Sequence, residues 1–103
     1  MTDRIHPPWT IETLRTRRDE ILALAARHGA THVRIFGSVA RGEPDADSDV
    51  DLLVTARPGV SAFEMVGLWR ELQALLGCEV SLITDGIDDR RFLEQIEPDL
   101  VTL

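Results

Sequence analysis

Residues 48–54, Ser-Asp-Val-Asp-Leu-Leu-Val, constrain the fold more tightly than any other stretch. Side chains two apart in a strand share a face. Asp49 and Asp51 therefore project together, while Val50, Leu52 and Val54 line the opposite side. Such a strand needs an apolar core behind it and something positive in front. Strand-edge charges that deter aggregation are the bland alternative. Two acids on one face, with Leu53 next on that face, argue against it.

The rest of the chain supplies the covering elements. Thr10 can cap a helix running to about His28, with Ile11, Leu14, Ile21, Leu22, Leu24 and Ala25 on one face. Gly29 suits the left-handed position after its last turn. Residues 32–36 alternate as a half-buried strand in which Val33 and Ile35 share a face. Residues 38–42 can form one short helical segment, and 43–47 form a polar loop. After the Pro58-Gly59 turn, Ser61 and Glu64 form a capping-box pattern. It opens a helix with Met65, Leu68, Trp69, Leu72, Leu75 and Leu76 as its buried stripe, ended by Gly77. Residues 78–84 predict a third strand, and Asp88 or Asp89 caps a last short helix carrying Phe92, Leu93 and Ile96. Helix and strand alternate, so the expected class is α/β. Each strand has one apolar face and one polar or mixed face, so helices cover one side of the sheet and leave the other as a cleft.

Length and composition bound the function. The 103 residues, 44% hydrophobic, suit a single domain over 1–103. Residues 1–9 read as a leader, and 98–103 as a terminal edge strand or docking tail. A net charge of −7 argues against a direct grip on DNA or RNA. The same charge suits a basic protein partner, with Pro7-Pro8-Trp9 and Leu100 to Leu103 as candidate contacts. All 11 basic residues are arginine, which removes lysine chemistry. Cys78 is the lone cysteine, so neither an internal disulfide nor a Cys-rich zinc site is available. No apolar run marks a signal peptide or membrane span, so the default compartment is the cytoplasm.

Gly37-Ser38, followed after ten residues by Asp49-Val50-Asp51, is the chemical constellation. Paired carboxylates repel unless a cation sits between them, and Mg²⁺ commonly shares its shell between carboxylates and phosphates. Gly37 permits close backbone approach, and Ser38 offers a hydroxyl and N–H groups to an anion. Asp45 and Asp47 read as solvated loop carboxylates. A calcium loop fails, because Val50 stands where glycine is required and Ala56 where the bidentate glutamate is required. Cys78 reads as a small buried residue. His6, His28 and His32 lack metal-ligand spacing, and Arg15, Arg17 and Arg18 read as a solvated helix face. Trp69 reads as core, and Trp9 as a packing plug or a partner anchor.

Phe36-Gly-Ser-Val-Ala-Arg-Gly42 with Ser48-Asp-Val-Asp-Leu-Leu-Val54 resembles the minimal nucleotidyltransferases, small relatives of the polymerase-β catalytic core. The resemblance implies the nucleotidyltransferase fold, a small mixed sheet with helices packed on one face, and Mg²⁺-dependent transfer of a nucleoside monophosphate, AMP from ATP, to a hydroxyl, with release of pyrophosphate. It also implies an antitoxin role toward a HEPN-domain ribonuclease toxin. The alternative is a degenerate member that neutralises its partner by complex formation. Gly37 and Ser38 would hold the triphosphate, and Asp49 and Asp51 would ligate two Mg²⁺ ions. Arg41 matches the family's arginine, which contacts phosphate or braces an acid. The family's third carboxylate falls in Val80-Ser81-Leu82, where Ser81 replaces it. Serine has no charge and is a weak base, so this departure weakens acceptor activation. Glu79 is the possible substitute, about 6.6 Å away along the strand. Asp85 is a more distant one.

Overall fold

The computed structural model describes residues 8–43 and 49–103. The leader residues 1–7 and the loop acids Asp45 and Asp47 lie outside that range. Thr10 caps the first helix. Its hydroxyl accepts from Thr13 N–H at 3.1 Å, and the Thr13 hydroxyl accepts from Thr10 N–H at 2.8 Å. The single helix expected to His28 is instead two, α1 (Ile11–Thr16) and α2 (Arg18–Arg27). The Thr16 hydroxyl donates back to the Thr13 carbonyl at 2.6 Å, and Arg17 leaves the helical region. Back-bonding of this kind bends helices. Leu14 and Ile21 are buried on either side of the break, but Leu22 is turned out to 40% exposure, contrary to the periodicity.

Gly29, at φ +82°, turns the chain into β1 (Ala30–Phe36). The short α3 (Gly37–Ala40) follows, then β2 (Val50–Ala56). α4 (Ala62–Leu76) is capped by Ser61, which accepts from Glu64 N–H at 3.3 Å. Only half of the expected capping box forms, because the Glu64 carboxylate turns to His28 instead. Leu68, Leu72 and Leu76 are buried as predicted. Trp69 is not core: it is 37% exposed, and its Nε1 donates to Val80 O at 2.7 Å. β3 (Val80–Thr84) begins two residues later than expected. Asp89 caps α5 (Arg90–Ile96), and β4 (Val101–Thr102) closes the described chain.

The sheet order is β3-β2-β1-β4, with β1 antiparallel to β2 and β4, and β2 parallel to β3. A bulge between Thr31 and Arg34 is accommodated by His32 at φ 53°. Beyond it Val33 and Ile35 face the helices, where Leu14, Ile21, Leu52, Val54, Leu68 and Leu72 complete the core. Each fully buried aliphatic side chain there contributes roughly 1.5–3 kcal/mol. The opposite face is not entirely open. Phe36, Leu53 and Ile96 form a second cluster with Phe92 and Leu93 of α5, and the Phe36 and Phe92 rings meet edge-on at 5.9 Å. Phe36 is also the register partner of Asp51, so this cluster borders the carboxylate.

Trp9 and the terminal residues, both offered as partner contacts, are folded into the protein, whereas Pro7 lies outside the described residues. Trp9 packs on the core and its Nε1 donates to Leu76 O at 2.9 Å. Val101 and Thr102 pair with β1, and Leu103 is buried. Trp9 is therefore a packing plug, and the terminal residues form an edge strand rather than a docking tail.

Candidate active site

Phe36 pairs with Asp51 across the β1/β2 ladder, so the residue after Phe36 meets the carboxylate. Gly37 has φ +77°, a conformation costly for residues with a side chain. A Cβ at this position would also collide with the Asp51 carboxylate, whose Cγ would lie at 3.0 Å. Conformation and space therefore both require glycine. The chain then turns through α3, with Ser38 half-buried at its start. The first N–H groups of a helical turn have no carbonyl partner within it.

Asp51 and Ser81 are register partners in the parallel β2/β3 ladder, and the Ser81 hydroxyl donates to the Asp51 carboxylate. Partial burial holds the Asp51 carboxyl above its ordinary pKa. The Ser81 hydrogen bond opposes this, the like charge of Asp49 adds to it, and Arg41 counters it. Asp49 is half-buried one step before β2. Val50 N–H donates to Glu79 O at 3.1 Å, which sets Glu79 beside Asp49, not beside Asp51. The Glu79 side chain is exposed, with no hydrogen-bond or ion-pair partner among the described residues.

Arg41 braces acids. Its Nη1 donates to Asp99 Oδ2 at 3.2 Å and its Nε to Glu43 Oε1 at 3.4 Å. Asp99 was missed in the sequence, because 58 residues separate it from Arg41 and no local pattern links them. Asp85 is far from this cluster: it follows the other end of β3, where Thr55 donates to it at 2.6 Å and Arg34 at 3.1 Å. It is not available as a base beside Asp51.

Among the described residues, no group of three or more His, Cys, Asp or Glu side chains is gathered to hold a metal. Two carboxylates completed by phosphate oxygens nevertheless satisfy Mg²⁺. The Asp49/Asp51 pair fits that mode: it shares a face, repels itself, and lies against a turn whose glycine leaves the space open. No helix among the described residues is long and apolar enough to cross a membrane.

The nucleotidyltransferase domain family matches residues 18–102. The protein adenylyltransferase MntA of Thermococcus cleftensis is 42% identical over 60 residues, covering 58% of this chain and 61% of that protein. A solved structure of a "putative minimal nucleotidyltransferase" superposes with a TM-score of 0.78 at 44% identity, covering 92% of this chain and 97% of the other. A chain from the Shewanella oneidensis complex of a tri-AMPylated HEPN toxin with an MNT antitoxin shares the fold, with a TM-score of 0.66 at 17% identity. It covers 85% of this chain and 69% of that one. With the family match spanning most of its length, the chain belongs to the nucleotidyltransferase domain family.

Proposed function

We propose that this protein transfers AMP from ATP, with Mg²⁺, to a hydroxyl on a partner protein in the cytoplasm, and that the partner is a HEPN-domain toxin whose activity the transfer suppresses. The observation that carries the reading is the Gly37-Ser38 turn seated against Asp51, with Asp49 beside it on the same face. The adenylyltransferase relative and the AMPylated-toxin complex support the choice of nucleotide and partner.

In this reading Asp49 and Asp51 hold the metal, Gly37 and Ser38 receive the triphosphate, and Arg41 contributes positive charge at the rim. When bound, Mg²⁺ would neutralise phosphate charge as the acceptor oxygen bonds to the α-phosphorus and pyrophosphate leaves. Ser81 keeps Asp51 oriented through its hydroxyl but cannot take the acceptor proton. Glu79, one residue before β3, is the carboxylate that could receive it. The test is ATP binding with and without Mg²⁺. Wild type should bind in a Mg²⁺-dependent manner, and Asp49→Asn and Asp51→Asn should each lose that dependence. Unchanged metal dependence in both variants refutes the assignment.

A second reading has one observation in its favour. Ser81, uncharged, stands directly opposite Asp51. The protein would then bind nucleotide and occlude the toxin without modifying it. A stable complex with no adduct after prolonged incubation with ATP and Mg²⁺ would select this reading.

A further inference from the structure

We propose that the acceptor enters as an extended polypeptide segment laid along the free edge of β3, in the groove between that strand and α4. This rests on the proposed transfer to a protein hydroxyl. Among the described residues β3 is an outer strand, paired only with β2. Val50 N–H bonds Glu79 O, and Asp85 N–H bonds Val54 O. Odd-numbered residues therefore turn their backbone groups toward β2, while Val80, Leu82 and Thr84 turn theirs outward. α4 closes the first outward position: Trp69 Nε1 donates to Val80 O at 2.7 Å, and Val80 N–H donates to Gln73 Oε1 at 3.0 Å. Thr84 O accepts from Ile87 N–H at 3.4 Å. Among the described residues Leu82 keeps both outward groups unpaired.

Beside this edge lies an apolar groove lined by Met65, Val66 and Trp69 of α4 and by Leu82 and Ile83 of β3. Val66 is 48% exposed, and Phe63 stands 87% exposed at the start of the helix. An unpaired edge beside an apolar wall takes up an extended chain as an added strand. Ser81 also lines the groove, and its hydroxyl meets Asp51. Ser81 is thus common to the groove and to the carboxylate pair, which argues for the segment that carries the acceptor hydroxyl as the occupant. Side chains alternate along an added strand. An apolar residue would face Val66 and Trp69, and its neighbour would stand on the cleft face beside Ser81, two strand spacings from Asp51, a gap that the long side chain of a Tyr spans and that of Ser or Thr does not.

Val66→Asp charges the groove wall at an exposed helical position and leaves the carboxylate pair and the Gly37 turn intact. Transfer to the purified HEPN-domain partner at saturating Mg²⁺-ATP should show an acceptor KM raised about tenfold or more, with kcat within about twofold and the ATP KM unchanged. Hydrogen–deuterium exchange in a nucleotide-free mixture with that partner should slow over residues 82–84. An unchanged acceptor KM, exchange at 82–84 unaltered by the partner, or no complex at all overturns the proposal. If wild type forms the complex but labels no acceptor, the transfer reading fails alone, and the exchange at 82–84 still decides the groove. Protection of 82–84 that grows with the protein's own concentration assigns the edge to a second copy and also overturns the proposal.

Discussion

Replacing Ser81 with aspartate tests the third position of the site. Ser81 stands opposite Asp51 in a parallel pair, and neighbouring strands are about 4.8 Å apart. The substitution exchanges a hydrogen bond to Asp51 for a second negative charge. At ~5 Å, two unit charges repel by about 0.8 kcal/mol in water and about 3.3 kcal/mol at an effective dielectric of ~20. The half-buried site lies between these limits, so the metal-free variant should lose about 1–3 kcal/mol. For a domain of this size that lowers Tm by roughly 5–15 °C. Mg²⁺ with ATP should restore much of the loss. Supplying the missing base should raise AMP transfer by about 10²–10⁴-fold, with ATP affinity little changed. Thermal melts with and without Mg²⁺ and single-turnover transfer assays read both effects. Glu79→Gln, made in wild type, separates two versions of the idea. If Glu79 has taken over as base, that variant loses residual transfer and Ser81→Asp adds little. A fast wild type, indifferent to both changes, refutes this placement of the third carboxylate.

Three further perturbations probe the frame. Burial raises the Asp51 carboxyl in the fold, so its charged form costs stability as pH rises through the folded pKa. Asp51→Asn should therefore raise the metal-free Tm at neutral pH, a gain that disappears below about pH 4; a lower Tm contradicts this. Gly37→Ala places a side chain at φ +77° and against Asp51, and should cost about 1–3 kcal/mol in denaturant melts together with Mg²⁺-dependent ATP binding. His28 holds Glu64 at 2.8 Å and Glu71 at 2.9 Å through its two ring nitrogens, in space left by Gly67. Its pKa is raised by the hydrogen bond to Glu71 first and to Glu64 second. That stabilisation is complete below the unfolded value near ~6.5 and is lost as pH rises through the folded one. His28→Gln should accordingly cost about 1 kcal/mol near pH 6 and less at alkaline pH, measured by urea titration; a constant cost across that range contradicts the charged clamp.

The sequence showed most plainly what depends on local geometry. The two-residue period of β2 placed Asp49 and Asp51 on one face; the family resemblance put Ser81 at the third-carboxylate position, and the parallel register sets it opposite Asp51. Features set by distant contacts were not legible. Arg41 meets Asp99 only because the 3₁₀ turn at Glu97–Asp99 comes back beside α3. The Phe36–Phe92 contact brings α5 onto the cleft face, which no periodicity announces. Trp69 lies on the helical stripe, yet among the described residues the sheet ends at β3 and the ring stays 37% exposed. His28 carried no local pattern beyond its lack of metal-ligand spacing, because its partners, Glu64 and Glu71, lie on another helix. In hindsight Gly67, a small residue between two acids on one helix, was the available signal. The helix break at Arg17 arose from the Thr16 hydroxyl competing for a backbone carbonyl, which a hydrophobic pattern cannot register.

The most direct measurement is the intact mass of the HEPN-domain partner after incubation with this protein, ATP and Mg²⁺. The account predicts a mass increase of one AMP for each modified hydroxyl. The increase should be absent with EDTA and absent with Asp51→Asn. An unmodified partner recovered from a complex in which wild type holds ATP would contradict the transfer claim.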